Sequence, residues 1–133
     1  CEPCASTISW YNAGVQYFGD ATASAELVGG NLQITGISLT GAQVGFVVAE
    51  PADGWYNGYV IALNPTSLPQ AAAYTSTAGM NYTTLFGGNT TVQITYIDAE
   101  SGGYVVGSFN GSVMEASGSA TTLSQGSFQL SIN

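Results

Sequence analysis

Carboxylates are the side chains of this sequence best suited to chemistry. The most closely spaced are Asp98 and Glu100, which Asp53 and Glu50 can join from earlier in the chain. Paired carboxylates can hydrolyse glycosidic bonds, and carboxylates with backbone carbonyls can bind Ca²⁺. The segment 98–103 (DAESGG) matches no complete calcium motif, so a solvated turn is the alternative to a Ca²⁺ site at Asp98 and Glu100. No other cofactor is expected.

Several functions are excluded because the 133 residues include no Lys, Arg or His, and the formal net charge is −8. Nucleic-acid binding needs basic residues against phosphate, and an anionic membrane surface repels an acidic chain. Ser-His-Asp and Cys-His catalysis lack their base, and zinc sites lack histidine ligands. We therefore expect a protein that is not an enzyme and that binds no nucleic acid.

The N-terminus carries the only two cysteines, Cys1 and Cys4. A chain that starts at Cys1 is expected to be a mature exported product whose signal peptide has been removed. In an oxidising compartment the cysteines can form a small ring, bond neighbouring molecules or, at Cys1, carry a lipid. No membrane insertion beyond such a lipid is expected. The lack of basic residues leaves trypsin-like proteases no site, which favours an extracellular or cell-surface location.

Aromatic residues provide the candidate binding surface. Trp10, Trp55, Tyr56 and Tyr59 can form a platform that stacks carbohydrate, an anchor between subunits, or ordinary core and hairpin packing. The segment 53–58 (DGWYNG) is predicted to be an exposed turn. Three glycosylation sequons are also present. They begin at Asn81, Asn89 and Asn110.

The elements that must position these residues are predicted to be strands. Turn signals at 12–14, 29–30, 53–54, 57–58, 87–89, 102–103 and 110–111 separate short segments rich in Val, Ile, Thr, Tyr and Phe. Segments 31–36, 91–98 and 127–133 alternate apolar and polar residues, while 44–49 and 59–63 are more continuously apolar and suit central strands; 104–111 completes the pattern. The fold class is therefore all-β: a single-domain antiparallel β-sandwich or barrel-like sheet pair of about nine to eleven strands. Segment 67–74 is the best helical candidate, with a loop or short strand as alternatives.

The chain is divided into residues 1–11, which hold the cysteine pair, and a β-sandwich domain of residues 12–133. The β-prone segment 5–11 (ASTISWY) either forms the first strand of its own sheet or completes the sheet of a neighbouring molecule. In the second case Ile8 and Trp10 form part of the interface, together with Trp55 and Tyr56.

The second half of the chain carries a recognisable pattern in segments 87–98 (GGNTTVQITYID), 106–112 (VGSFNGS) and 123–132 (LSQGSFQLSI). With 31–36 (NLQITG), these segments resemble a bacterial family of small exported all-β lipoproteins of uncharacterised function. The resemblance implies an all-β fold and export, and it transfers no catalytic or binding residue.

The expected function is that of a structural subunit of an extracellular filament or matrix. Such a subunit assembles with copies of itself through β-strand contacts and intermolecular disulfides. Its uncharged strands support this expectation, because edge strands are normally guarded by charge or proline. The alternative is a surface-tethered lipoprotein module that binds carbohydrate.

Overall fold

The computed structural model describes residues 6–19, 23–66, 70–100 and 102–132. Eleven strands and one short 3₁₀ turn lie in these ranges, which confirms the all-β prediction. They are β1 (Thr7–Asn12), β2 (Val15–Phe18), β3 (Ser24–Val28), β4 (Asn31–Ile37), β5 (Gln43–Ala49), β6 (Gly54–Leu63), β7 (Ala71–Thr75), β8 (Asn81–Thr83), the 3₁₀ turn Thr84–Phe86, β9 (Thr90–Ile97), β10 (Tyr104–Met114) and β11 (Ala120–Ser131). In these ranges no helix has the length and apolar character needed to cross a membrane.

The strands form one antiparallel sheet that curls into two facing arms. The first arm has the order β2-β1-β11-β10-β9-β6, and the second has the order β8-β7-β5-β4-β3. A single register pair between Met114 of β10 and Thr83 of β8 joins the arms at one corner. At the far end of the second arm, Ala25 of β3 meets Ile132 in an isolated parallel bridge. The arrangement is the all-β, barrel-like antiparallel architecture that the sequence predicted.

Two predicted turns form tight hairpins. Ala13 and Gly14 have φ values of 53° and 79°, and Gly29 and Gly30 have 59° and 84°. Positive φ at both central residues defines a type I′ turn, whose twist matches that of the flanking strands. These turns connect β1 to β2 and β3 to β4, as the turn signals predicted.

Other turn signals lie inside strands. Asn57 and Gly58 fall within β6, where the pairing with β9 shifts register between Trp55 and Tyr59. The exposed turn predicted for residues 53–58 is therefore wrong, because most of this segment pairs in an irregular strand. Within 67–74 the short-strand alternative is confirmed for Ala71–Thr75. The structure also corrects the prediction of a central strand at 59–63, because among the described strands β6 pairs only with β9 and so forms an edge.

Gly111, within β10, makes a close approach to the residues at the start of β9. This glycine has a φ of 143°, and a Cβ atom there would lie 2.3 Å from the Asn89 carbonyl oxygen. Ser112 donates its N–H to the same oxygen at 3.0 Å, and the Ser112 hydroxyl accepts the Asn89 N–H at 3.1 Å. The predicted turn at 110–111 is thus a bend within β10, where a side chain does not fit.

The core lies between the arms. Inward residues alternate along the strands, and rings from opposite arms meet in it: Phe46 packs on Phe109 at a centroid distance of 4.6 Å, and Trp10 meets Tyr74 edge-on at 6.3 Å. All four side chains are almost fully buried. Burial of such large rings is a main stabilising contribution in a domain of this size.

The N-terminal strand belongs to its own molecule. β1 pairs with β11 on one side and with β2 on the other. Ile8 and Trp10 are buried in the core between the arms, so they are not available as interface residues in this structure. The physical reason is alternation, which turns both apolar side chains of β1 toward the interior. Of the two alternatives for segment 5–11, the structure shows the own-sheet one.

Candidate functional site

Charge is distributed very unevenly over the strands. The six carboxylates in the described ranges all reach the surface, and only Glu26 of β3 belongs to a strand. The two strands that end the first arm, β2 and β6, carry no charge and no proline. Charged side chains and proline are the usual means of preventing edge-to-edge pairing. These two edges therefore have no guard of that kind.

The backbone of β2 presents hydrogen-bonding groups on its outer side. Gly19 donates its N–H to the Ile8 carbonyl at 2.8 Å, and the register then pairs Trp10 with Tyr17. Because hydrogen-bonded pairs alternate along an antiparallel ladder, the backbone groups of Gln16 and Phe18 point away from β1. No described strand pairs with this side of β2.

A groove runs beside this edge. We call it the edge groove; its volume is about 220 Å³, and its walls are residues 15–18 of β2 and residues 38–40 of the turn between β4 and β5. The turn is held closed by backbone hydrogen bonds from Ser38 to Ala42 and from Gly41 to Ser38. It presents Leu39 with 97% of its side chain exposed, opposite Phe18 at 55%. An apolar groove beside an open strand edge is suited to β-strand addition.

A second surface, which we call the aromatic strip, consists of Trp55, Tyr96 and Tyr104. These residues lie on the outer face of the neighbouring strands β6, β9 and β10. Trp55 and Tyr96 are cross-strand partners with ring centroids 4.7 Å apart, and Tyr96 stacks on Tyr104 at 4.8 Å. Trp55 is 77% exposed. Cross-strand aromatic pairs of this kind stabilise a sheet while leaving ring surface available for a ligand.

Tyr96 faces outward because of a bulge. Regular alternation predicts that Tyr96 shares the buried face of Val92 and Ile94, but the register of β9 with β10 shifts between Ile94 and Tyr96. The next residue, Ile97, is buried instead. A bulge inserts one extra residue and reverses the faces beyond it. The sequence interpretation missed Tyr96 for this reason, although Asn57-Gly58 in the adjacent strand signals the irregularity. Tyr104 follows the regular alternation of β10, but the sequence does not show that Tyr96 lies beside it.

Trp55 and Tyr56 do not act together. Trp55 points outward, whereas Tyr56 packs partly against the core and stacks on Tyr59 at 4.8 Å. The Tyr56 hydroxyl donates a hydrogen bond to the Ala52 carbonyl. Of the two neighbours predicted as interface or sugar-binding residues, only Trp55 has the exposure that either role requires.

Carboxylates border the aromatic strip. An oxygen of Asp53 accepts the Ala99 N–H at 2.7 Å, which fixes this carboxylate beside the end of β9. Partial burial, the neighbouring Tyr104 and the charges of Asp98 and Asp53 raise the pKa of Tyr96 above its usual value. Tyr96 therefore stays protonated at neutral pH, with an O–H that can donate and an oxygen that can accept.

The predicted calcium residues lie in the loop between β9 and β10. The Asp98 carbonyl accepts the Glu100 N–H at 2.9 Å, and the Glu100 carbonyl accepts the Gly103 N–H at 2.8 Å. Within the described ranges no three acidic or thiol side chains converge as a metal site requires. The calcium site remains a prediction.

The predicted glycosylation residues Asn81, Asn89 and Asn110 all have exposed side chains, as glycosylation requires. Asn89, just before β9, lies near Asn110 of β10, whereas Asn81 belongs to β8. Cys1 and Cys4 lie outside the described residues, so their pairing or lipidation stays a prediction.

Comparison with models of known protein families, with curated proteins and with solved structures finds no match for this chain. Functional inference therefore rests on the edge groove and the aromatic strip themselves.

Proposed function

We propose that this protein is a structural subunit of an extracellular filament or matrix and that it assembles with copies of itself through strand edges. The observation that carries the proposal is that the first arm ends on both sides in an open, uncharged strand, β2 and β6. A protein that is meant to stay monomeric normally guards such edges. The one charged edge strand, β3, belongs to the other arm.

Strand direction makes a repeating joint geometrically simple. All neighbours in the first arm are antiparallel, and the arm has six strands, so its two edge strands run in opposite directions. A second copy placed beyond β6 in the same orientation therefore brings its own β2 alongside β6 as an antiparallel partner. Such a head-to-tail contact uses two different surfaces and propagates without closing.

Apolar surface supplies the driving force. Phe18 and Leu39 of the edge groove and Val60 of β6 are more than half exposed. Complete burial of one such side chain contributes about 1.5–3 kcal/mol. The net charge of −8 opposes association, so we expect assembly to increase as salt screens the repulsion. Disulfides between molecules through Cys1 and Cys4 would lock the polymer after it forms.

The test is sedimentation velocity and negative-stain electron microscopy at low and high salt, on the wild type and on two matched pairs of variants. Gln16→Pro removes an outward backbone N–H from β2, and Gln16→Ala is its control because both variants lose the exposed side-chain hydrogen bond that Gln16 accepts from Tyr11. Val60→Lys places a charge on β6, and Gln93→Lys makes the same charge change on its cross-strand neighbour.

We expect filaments from the wild type and from both controls, and monomers from Gln16→Pro and Val60→Lys. Circular dichroism checks that each variant is folded. A reductant added to finished filaments should ease their dissociation if Cys1 and Cys4 link subunits. A wild type that remains monomeric at every salt concentration and at high protein concentration would refute the proposal. Filaments from Gln16→Pro would show that β2 is not at the joint.

A further inference from the structure

We propose that the aromatic strip binds a neutral carbohydrate, independently of self-assembly. Sugar rings present a face of C–H groups that stacks on aromatic rings, and their hydroxyls need hydrogen-bonding partners around the ring. The aromatic strip provides both on the outer face of the sheet. Trp55 belongs to β6, a strand of the proposed joint, but its ring lies on the sheet face, whereas the joint uses the backbone edge.

The stacking surface is centred on Trp55. Its indole is 77% exposed, and it is supported from one side by Tyr96 at 4.7 Å, which is supported in turn by Tyr104 at 4.8 Å. Because cross-strand contacts already hold the rings in place, binding a ligand would cost little side-chain conformational entropy. Rigid aromatic side chains with polar tips are efficient binding residues for the same reason.

The polar border selects the kind of ligand. The Tyr96 and Tyr104 hydroxyls, together with the Asp53 and Asp98 carboxylates that influence the Tyr96 pKa, provide hydrogen-bond acceptors for sugar hydroxyls. Asp53 is held in place by the Ala99 N–H. A sulfated or uronic-acid glycan would meet these carboxylates without any Lys or Arg to balance its charge. The site therefore fits a neutral glycan.

The experiment is a titration followed by tryptophan fluorescence. Trp10 is buried and Trp55 is exposed, so a ligand that covers the aromatic strip changes the emission of Trp55. The probes are four soluble neutral polysaccharides (a β-1,3-glucan, a galactomannan, hydroxyethylcellulose and glycogen), with heparin as the anionic control and tetramethylammonium as an organic cation. Calorimetry with any probe that responds gives an affinity for the variants that lack Trp55.

We expect at least one neutral polysaccharide to bind and heparin not to bind. Trp55→Ala and Tyr96→Ala should each weaken binding by about tenfold or more, the scale of a truncated aromatic anchor. Phe86→Ala removes another exposed ring, 56% accessible, outside the aromatic strip and should leave binding unchanged.

Three results would overturn the inference. Absence of binding to all four neutral polysaccharides would exclude a neutral-glycan site, and a response to tetramethylammonium alone would assign the aromatic strip to an organic cation. Loss of filaments in Trp55→Ala, with glycan binding absent, would make the strip a subunit interface. Because Gln16→Pro tests assembly at a different surface, failure of one proposal does not imply failure of the other.

Discussion

The molecule contains two clusters that each combine one tryptophan with tyrosines. The clusters are similar in composition but differ in burial. In the interior cluster, Trp10 stacks on Tyr17 and meets Tyr74, which in turn contacts Tyr82. In the aromatic strip, Trp55 contacts Tyr96 and Tyr96 contacts Tyr104. Trp10 is fully buried, whereas Trp55 is 77% exposed. The face of the sheet from which a ring projects, rather than its residue type, therefore decides whether the ring stabilises the core or is available to a ligand.

Truncation of the two tryptophans should give the largest contrast. Trp10→Ala leaves a large cavity between the arms and should lower the free energy of unfolding by about 3–5 kcal/mol. Trp55→Ala removes an exposed ring and should change it by no more than about 1 kcal/mol. Urea unfolding followed by far-ultraviolet circular dichroism measures both. Equal losses would mean that the aromatic strip is part of the structural core.

A second contrast tests how tightly the interior rings are packed. A Cβ atom at Gly126 would lie 2.5 Å from the ring of Phe109, so Gly126→Ala should lower the free energy of unfolding by about 1–3 kcal/mol. Gly45, on the outer face of β5, has its nearest atoms at 3.8 Å. Gly45→Ala should be neutral or should raise the stability by up to about 1 kcal/mol, because strand glycine is entropically unfavourable. A tolerated Gly126→Ala would show that the ring of Phe109 can move.

A third contrast concerns hydroxyl groups. Among the described residues, the Tyr74 hydroxyl and the Trp10 indole N–H are buried and form no hydrogen bond of acceptable geometry. An unsatisfied buried polar group costs free energy, so Tyr74→Phe should raise the free energy of unfolding by about 1 kcal/mol. Tyr104→Phe, in the aromatic strip, should leave it within about 0.5 kcal/mol. Differential scanning calorimetry distinguishes the two, and a lower melting temperature for Tyr74→Phe would reveal a hydroxyl partner.

The smallest expected effect is a loss of folding stability at alkaline pH. Burial raises the pKa of Tyr74, the nearby Trp10 N–H opposes this shift, and Tyr17 and Tyr82 add to it. The folded state thus holds this proton more tightly than the unfolded chain does. The contribution is complete below the ordinary tyrosine pKa of about 10 and is lost as pH rises through the folded-state value. Urea midpoints measured between pH 8 and pH 11 should fall more steeply for the wild type than for Tyr74→Phe, and parallel curves would contradict the assignment.

The alternation of apolar and polar residues along the strands accounts for most of the fold prediction made from the sequence. Segments such as 31–36 and 104–111 were located because apolar residues at every second position bury one face, and the hairpin turns were located because Asn-Ala-Gly and Gly-Gly favour positive φ. These local rules were enough to predict the fold class.

The candidate site was less predictable, because it depends on departures from alternation. The bulge near Thr95 turns Tyr96 outward, and Gly111 allows β10 to approach Asn89 closely. Both features depend on which strands become neighbours, and local sequence does not encode that. For the same reason β6, although apolar, is found at an edge rather than in the centre.

The pairing of β1 with β11 has a consequence for how the molecule is made. Thr7 is the cross-strand partner of Gln129, so the ladder between β1 and β11 joins residues that lie far apart in the sequence. Contacts between residues so distant in sequence slow folding, because a long loop must be closed before any stabilisation is gained. A chain that emerges N-terminus first can form the local β1–β2 hairpin early, but the first arm cannot be completed until β11 has also emerged.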